Sequence, residues 1–193
     1  GAGGACSGPV AGGSVYGASN APIGPGSGGG KIVTAPLSTG GSGGGAVRIE
    51  ASSAVTMNGT ITANGSFPVA SSYGGGGSGG SIYIMCNTFG GDANGVLNAD
   101  GGDGFAGGSG DGGGGGGGRI AVWYGVPASE RQRVINGNVT NMVIASSCAT
   151  FFGVTSATNG LAGGSRNGAA NGLPGTIIFL TYINPQGTYF FIQ

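Results

Sequence analysis

One pattern recurs four times along the chain: glycine, any residue, a branched apolar residue, any residue, a large apolar residue. It occupies Gly45-Ala46-Val47-Arg48-Ile49, Gly80-Ser81-Ile82-Tyr83-Ile84, Gly118-Arg119-Ile120-Ala121-Val122 and Gly175-Thr176-Ile177-Ile178-Phe179. Each copy reads as a short β-strand. Side chains alternate across a strand, so Val47 and Ile49, Ile82 and Ile84, Ile120 and Val122, and Ile177 and Phe179 are expected to form one core ladder. The opposite face carries Arg48 and Glu50, then Tyr83 and Met85, then Trp123, then Ile178 and Leu180, and grows more apolar toward the C-terminus.

A second element follows the first two copies. Gly59-Thr60-Ile61-Thr62-Ala63-Asn64-Gly65 matches Gly95-Val96-Leu97-Asn98-Ala99-Asp100-Gly101, 36 residues later, while Gly45 to Gly80 spans 35. Two elements repeating together define a unit of about 36 residues, the signature of a stacked repeat. The chain divides into a Gly-rich segment 1–42, repeats at 43–79, 80–117 and 118–174, and a partial repeat at 175–193. The third repeat is long enough to hold an insertion at about 126–146, where Glu130, Arg131 and Arg133 form a charged cluster with room for one helical turn. A unit of this size cannot bury its apolar face alone, whereas stacked units share a continuous core.

Glycine fills the spaces between these strands, with 51 of 193 residues. Each glycine in regular structure costs roughly 0.5–1 kcal/mol relative to alanine, so a fold that keeps so many needs them for close backbone approach or positive φ. Disorder would require low hydrophobicity with high net charge, but 38% of residues are hydrophobic and the net charge is zero. The arms Gly24–Gly30, Gly40–Gly45, Gly74–Gly80 and Gly107–Gly118 are therefore expected either to pack side by side as extended left-handed strands or to serve as flexible linkers. The fold class expected is all-β: a β-solenoid or β-helix-like stack, or a stacked-sheet repeat, with extended polyglycine or polyproline II-like arms.

The run Gly17-Ala18-Ser19-Asn20-Ala21-Pro22, the segment Gly43-Gly44-Gly45-Ala46-Val47-Arg48-Ile49, the pair Gly79-Gly80-Ser81-Ile82-Tyr83-Ile84 and Gly117-Gly118-Arg119-Ile120-Ala121-Val122-Trp123-Tyr124, and Pro174-Gly175-Thr176-Ile177 follow one another in an order of their own. From about Gly12 onward the chain resembles a glycine-rich β-repeat region of very large secreted or surface proteins of bacteria and protists. That resemblance implies a structural or adhesive part of a surface protein. A weaker similarity is to phage tail adhesins built from bundled polyglycine helices, although here the glycine runs alternate with strand motifs.

Chemistry is sparse. With no His and one Lys, Lys31, the usual general bases and Schiff-base nucleophiles are largely missing, and no enzyme is expected. Five Arg and one Lys spread along the chain make no basic stripe, so nucleic acid is not an expected partner. No apolar run approaches a membrane span of ~20 residues. Asp100, Asp103 and Asp111 are weak candidates for a calcium site, against a reading as solvated turn residues; no cofactor is expected. Cys6, Cys86 and Cys148 form an odd set, read either as buried small hydrophobes or as one disulfide with a leftover thiol in an oxidising compartment. Three sequons occur, at Asn58, Asn64 and Asn138; Asn138, in the insertion, is the best glycan candidate, and Asn58 and Asn64 suit turns.

The start at Gly1 without Met, with no visible signal peptide, suggests a processed or excised segment. The expected role is an extracellular, cell-surface structural protein: a self-assembling filament subunit that joins copies of itself head to tail, or a module next to others in a long stalk. Unpaired strand edges and the apolar tail Tyr189, Phe190, Phe191 and Ile192 are its expected assembly elements. The alternative is an adhesin that recognises glycan or another surface ligand, with Tyr16, Tyr73, Phe105, Trp123 and Tyr124 as contacts.

Overall fold

A computed structural model of the chain describes residues 3–4, 12–31, 39–69, 73–107, 110–136, 142–145 and 147–183. Among these residues the regular elements are almost all strands: β1 (Ala46–Glu50), β2 (Ala54–Thr56), β3 (Thr60–Thr62), β4 (Ser81–Met85), β5 (Thr88–Gly90), β6 (Val96–Asn98), β7 (Arg119–Tyr124), β8 (Met142–Ala145), β9 (Val154–Ser156) and β10 (Thr176–Tyr182). One short helix, α1 (Arg131–Ile135), and a 3-10 turn at Arg166–Gly168 complete the set. The protein is all-β.

The four glycine-led segments lie side by side. In the first sheet the order is β1-β4-β7-β10-β8, and the first four strands run parallel. Val47 stands opposite Ile82, Ile82 opposite Ile120, and Ile120 opposite Ile177; Ile49, Ile84, Val122 and Phe179 make the next row. A second sheet pairs β2 with β5 in parallel and is continued by a single bridge from Gly91 to Phe151. The third orders β3-β6-β9, again parallel. Each unit therefore visits the three sheets in the same sequence. The segment expected as an insertion holds α1 and β8, and β8 runs antiparallel along β10.

The three sheets face one interior. Ile82, Ile84, Ile120 and Val122 from the first sheet are fully buried there with Phe89 from the second and Leu97 from the third. Each such side chain contributes roughly 1.5–3 kcal/mol by leaving water. The Phe89 ring lies 5.2 Å from that of Phe151 and 6.4 Å from that of Phe179, tying the second sheet to the first. The outer face of the first sheet is covered as well: Tyr83, Met85, Ala121, Trp123 and Leu180 pack with Val126 and with Val134 of α1. Burial on both faces explains why β4 and β7 read as nearly unbroken apolar runs, the habit of interior parallel strands.

Between the strands the described residues of the glycine arms are hydrogen-bonded to one another. Along residues 75–80 each N–H donates to a different neighbour in rotation: Gly75 and Ser78 to the carbonyls of Gly30 and Ser27, Gly76 and Gly79 to Gly113 and Gly116, Gly77 and Gly80 to Ser66 and Ala63. The direction recurs every third residue, as in an extended helix with three residues per turn and no internal bonds. Packing this close leaves no room for Cβ. At Gly76 a Cβ would fall on the carbonyl of Gly102, and at Gly79 on the carbonyl of Ala99.

Candidate assembly edge and polar sites

The first unit supplies the end strand of every sheet. β1 pairs only with β4, β2 only with β5 and β3 only with β6 among the described residues, so one edge of each strand is open at the same end of the stack. On β1 the direction of the free groups follows from alternation. Ala51 N–H donates to the Met85 carbonyl at 2.9 Å, so the N–H groups of Val47 and Ile49 point toward β4 and those of Arg48 and Glu50 point away from it. Open parallel edges are templates for another strand.

The opposite end differs in kind: there the first sheet finishes on β8, paired antiparallel with β10, and the third on β9, paired parallel with β6. Large apolar side chains are exposed on its elements: Ile144 on β8 is 70% exposed, Phe152 72% and Val154 on β9 59%, with Leu161 and Leu173 exposed on the arms. The expected assembly residues Tyr189, Phe190, Phe191 and Ile192 lie outside the described residues.

The three carboxylates considered for calcium do not converge, and among the described residues no group of three or more His, Cys, Asp or Glu side chains is placed to hold a metal ion. Each is instead engaged by the next stretch of backbone. Asp100 Oδ1 accepts hydrogen bonds from the N–H of Thr158 at 2.7 Å and from the hydroxyls of Ser156 and Thr158; Asp103 Oδ1 accepts from Leu161 N–H at 2.7 Å. Asp111 accepts from the N–H groups of Gly107 and Arg166 and lies 3.7 Å from the Arg166 guanidinium. The reason is spacing: on a threefold extended arm Asp100 and Asp103 project toward the following unit instead of toward each other.

Two sequon asparagines do the same work. Asn58 Oδ1 accepts the N–H of Asp92 at 3.0 Å, and Asn64 Oδ1 accepts that of Asp100 at 2.8 Å. Asn64, Asp100 and Thr158 thus form a column in which the side-chain oxygens of Asn64 and Asp100 each take the next unit's backbone N–H, and the Thr158 hydroxyl donates back to Asp100. The column was readable in the spacing Asn64-x-x-Phe67, Asp100-x-x-Asp103 and Thr158-x-x-Leu161, a period of three within the glycines that a search for alternating strands passes over. Asn138 and Cys6 lie outside the described residues.

Cys86 and Cys148 are free thiols buried in the common interior. Burial pushes the Cys86 thiol up to about 11, against a backbone hydrogen bond at Val55 and with the proximity of Cys148 adding to the rise. The Tyr83 hydroxyl is also raised by burial, opposed by Arg48, whose guanidinium lies 5.6 Å from the Tyr83 ring centre and pairs with Glu50. Of the aromatic residues weighed as ligand contacts, Phe105 packs against Phe67 and edge-on to Tyr73, Trp123 is buried and donates to the Asn20 carbonyl, and Tyr16, which stays exposed, donates to that of Pro25. Tyr124 packs against the interior. Among the described residues no helix is long and apolar enough to cross a membrane. No family model, curated protein or solved structure matches the chain.

Proposed function

We propose that this chain is a non-enzymatic, extracellular structural subunit that adds copies of itself end to end, building a surface filament or the stalk of a larger surface protein. In this reading the three parallel ladders make a short β-solenoid, and the glycine arms form a polyglycine lattice along its flank. The observation that carries it is the set of edges on β1, β2 and β3 that are open among the described residues, all at one end. Those edges offer unpaired backbone groups, while the opposite end presents exposed apolar side chains such as Phe152 and Ile144. Two unlike ends favour a heterologous contact that propagates instead of closing. A zero net charge leaves little repulsion between copies.

Electron microscopy of the purified protein tests this. Fibres are expected for the wild type, and Arg48→Pro, which removes an N–H from the open side of β1 and none from the β4 side, is expected to suppress them while circular dichroism stays unchanged. Deleting residues 188–193 asks separately whether the apolar tail is the incoming segment. A wild type that stays monomeric at high concentration would overturn the proposal.

A further inference from the structure

Residues 12–24 cross the outer face of the first sheet, held there by the hydrogen bond from Trp123 Nε1 to the Asn20 carbonyl at 2.6 Å. Beneath this strap, at the first residues of β4 and β7, lies a cleft of about 310 Å³ bordered by Tyr16, Pro22, Ile23, Ser81 and Arg119. Arg119 is only 9% exposed, yet among the described residues its guanidinium makes no hydrogen bond and no ion pair. It reaches under the strap, where a Cβ on Gly17 would come within 3.6 Å of Nη1.

The neighbouring polar groups have their protons committed elsewhere: Ser81 Oγ donates to the Gly24 carbonyl at 2.6 Å, and Tyr16 Oη to that of Pro25 at 2.6 Å. Among the described residues no carboxylate lines the cleft. The Arg119 guanidinium nitrogens keep contact with solvent at the cleft, where they meet apolar walls and, among the described residues, no counter-charge. The guanidinium is a rigid planar fork matched to a carboxylate.

We propose that this cleft is a binding site for a small monocarboxylate with a compact apolar body. The carboxylate takes the Arg119 fork, and the body lies against Tyr16, Pro22 and Ile23. A single negative charge is specified because Arg119 is the only charged residue lining the cleft among the described residues; a dianion would bring a second charge with no counterpart among apolar walls. The site is independent of the end-to-end assembly, since it lies beneath the strap and not on the β1–β3 edges.

Titration with benzoate, followed by amide chemical shifts in two-dimensional NMR, tests it. Saturable shifts are expected at Tyr16–Gly24 and at Ser81, with benzamide and inorganic sulfate at least tenfold weaker. Arg119→Gln is expected to weaken benzoate at least tenfold, and Arg48→Gln to leave it unchanged. Should Arg119→Gln fail to fold, Ile23→Asp decides instead: it places a carboxylate at an exposed point of the rim, 68% accessible, and is expected to compete with benzoate and weaken it at least tenfold. No saturable shift with folded wild type at millimolar benzoate, sulfate binding as well as benzoate, or Ile23→Asp binding benzoate like the wild type would each overturn the assignment.

Discussion

At Gly79 the missing side chain is a steric requirement, because a Cβ would meet the carbonyl of Ala99 and the nitrogen of Gly118 on a neighbouring arm. At Gly45 nothing lies within 4 Å of the same position. Gly79→Ala is therefore expected to cost about 3 kcal/mol or more, at or above the range of ordinary overpacking. Gly45→Ala should be neutral or stabilise by about 0.4–1 kcal/mol through the unfolded chain. Denaturant unfolding of the two variants separates the positions. Cys86 makes a second residue-scale expectation. Its thiol titrates near 11 in the fold against 9.0 ordinarily, so the folded state holds the proton longer. Between those values the unfolded chain binds fewer protons and stability falls as pH rises: the contribution is whole below pH 9 and is lost on passing 11. Unfolding midpoints measured from pH 8 to 11 should decline less steeply in Cys86→Ala, with Tyr83, also raised by burial, leaving a residual slope.

Between elements, the side-chain columns hold neighbouring units in register. Asp100 accepts three hydrogen bonds from the Ser156–Thr158 segment of the next unit, whereas Asp92 accepts only from its own turn, through Asn94 N–H. Asp100→Ala is expected to destabilise by roughly 1.5–3 kcal/mol, the range for hydrogen bonds to charged groups, and Asp92→Ala by under about 1 kcal/mol; thermal unfolding compares them. The legible part of the fold lies in these elements. The 35 residues from Gly45 to Gly80 are the offset by which Ala46 meets Ser81, and the 36 from Gly59 to Gly95 are that of Thr60 and Val96. The second sheet left no such trace, because Ala54-Val55-Thr56 and Thr88-Phe89-Gly90 share no residue at any paired position and the third unit keeps only the bridge at Phe151. Nor did Tyr83, Trp123 and Leu180 reveal their cover: α1 contributes one buried side chain, Val134, and the strap docks through the backbone of Asn20. The cleft at Arg119 was equally hidden, since the arginine occupies a variable position of the repeated strand and its walls come from residues 16–24, which carry no periodicity.

Over the whole molecule, the strands and the glycine arms share one hydrogen-bonded network. Gly80 N–H reaches the Ala63 carbonyl, Arg119 N–H that of Gly80, and Thr176 N–H that of Gly118, so the arms that end at Gly80 and Gly118 are joined there to the strand stack. Local opening of an arm would strip donors and acceptors from several neighbours at once, which ties its exchange to global unfolding. Amide hydrogen exchange resolved by residue is the most direct measurement. Protection at Gly75–Gly80 and at Gly112, Gly114, Gly115, Gly117 and Gly118, whose N–H groups are hydrogen-bonded, is expected to match that of Ile82, Ile84, Ile120 and Val122, all lost in one cooperative event. Exchange of the glycine amides at free-chain rates, with the strands still protected, would make the arms linkers and contradict the interlocked lattice.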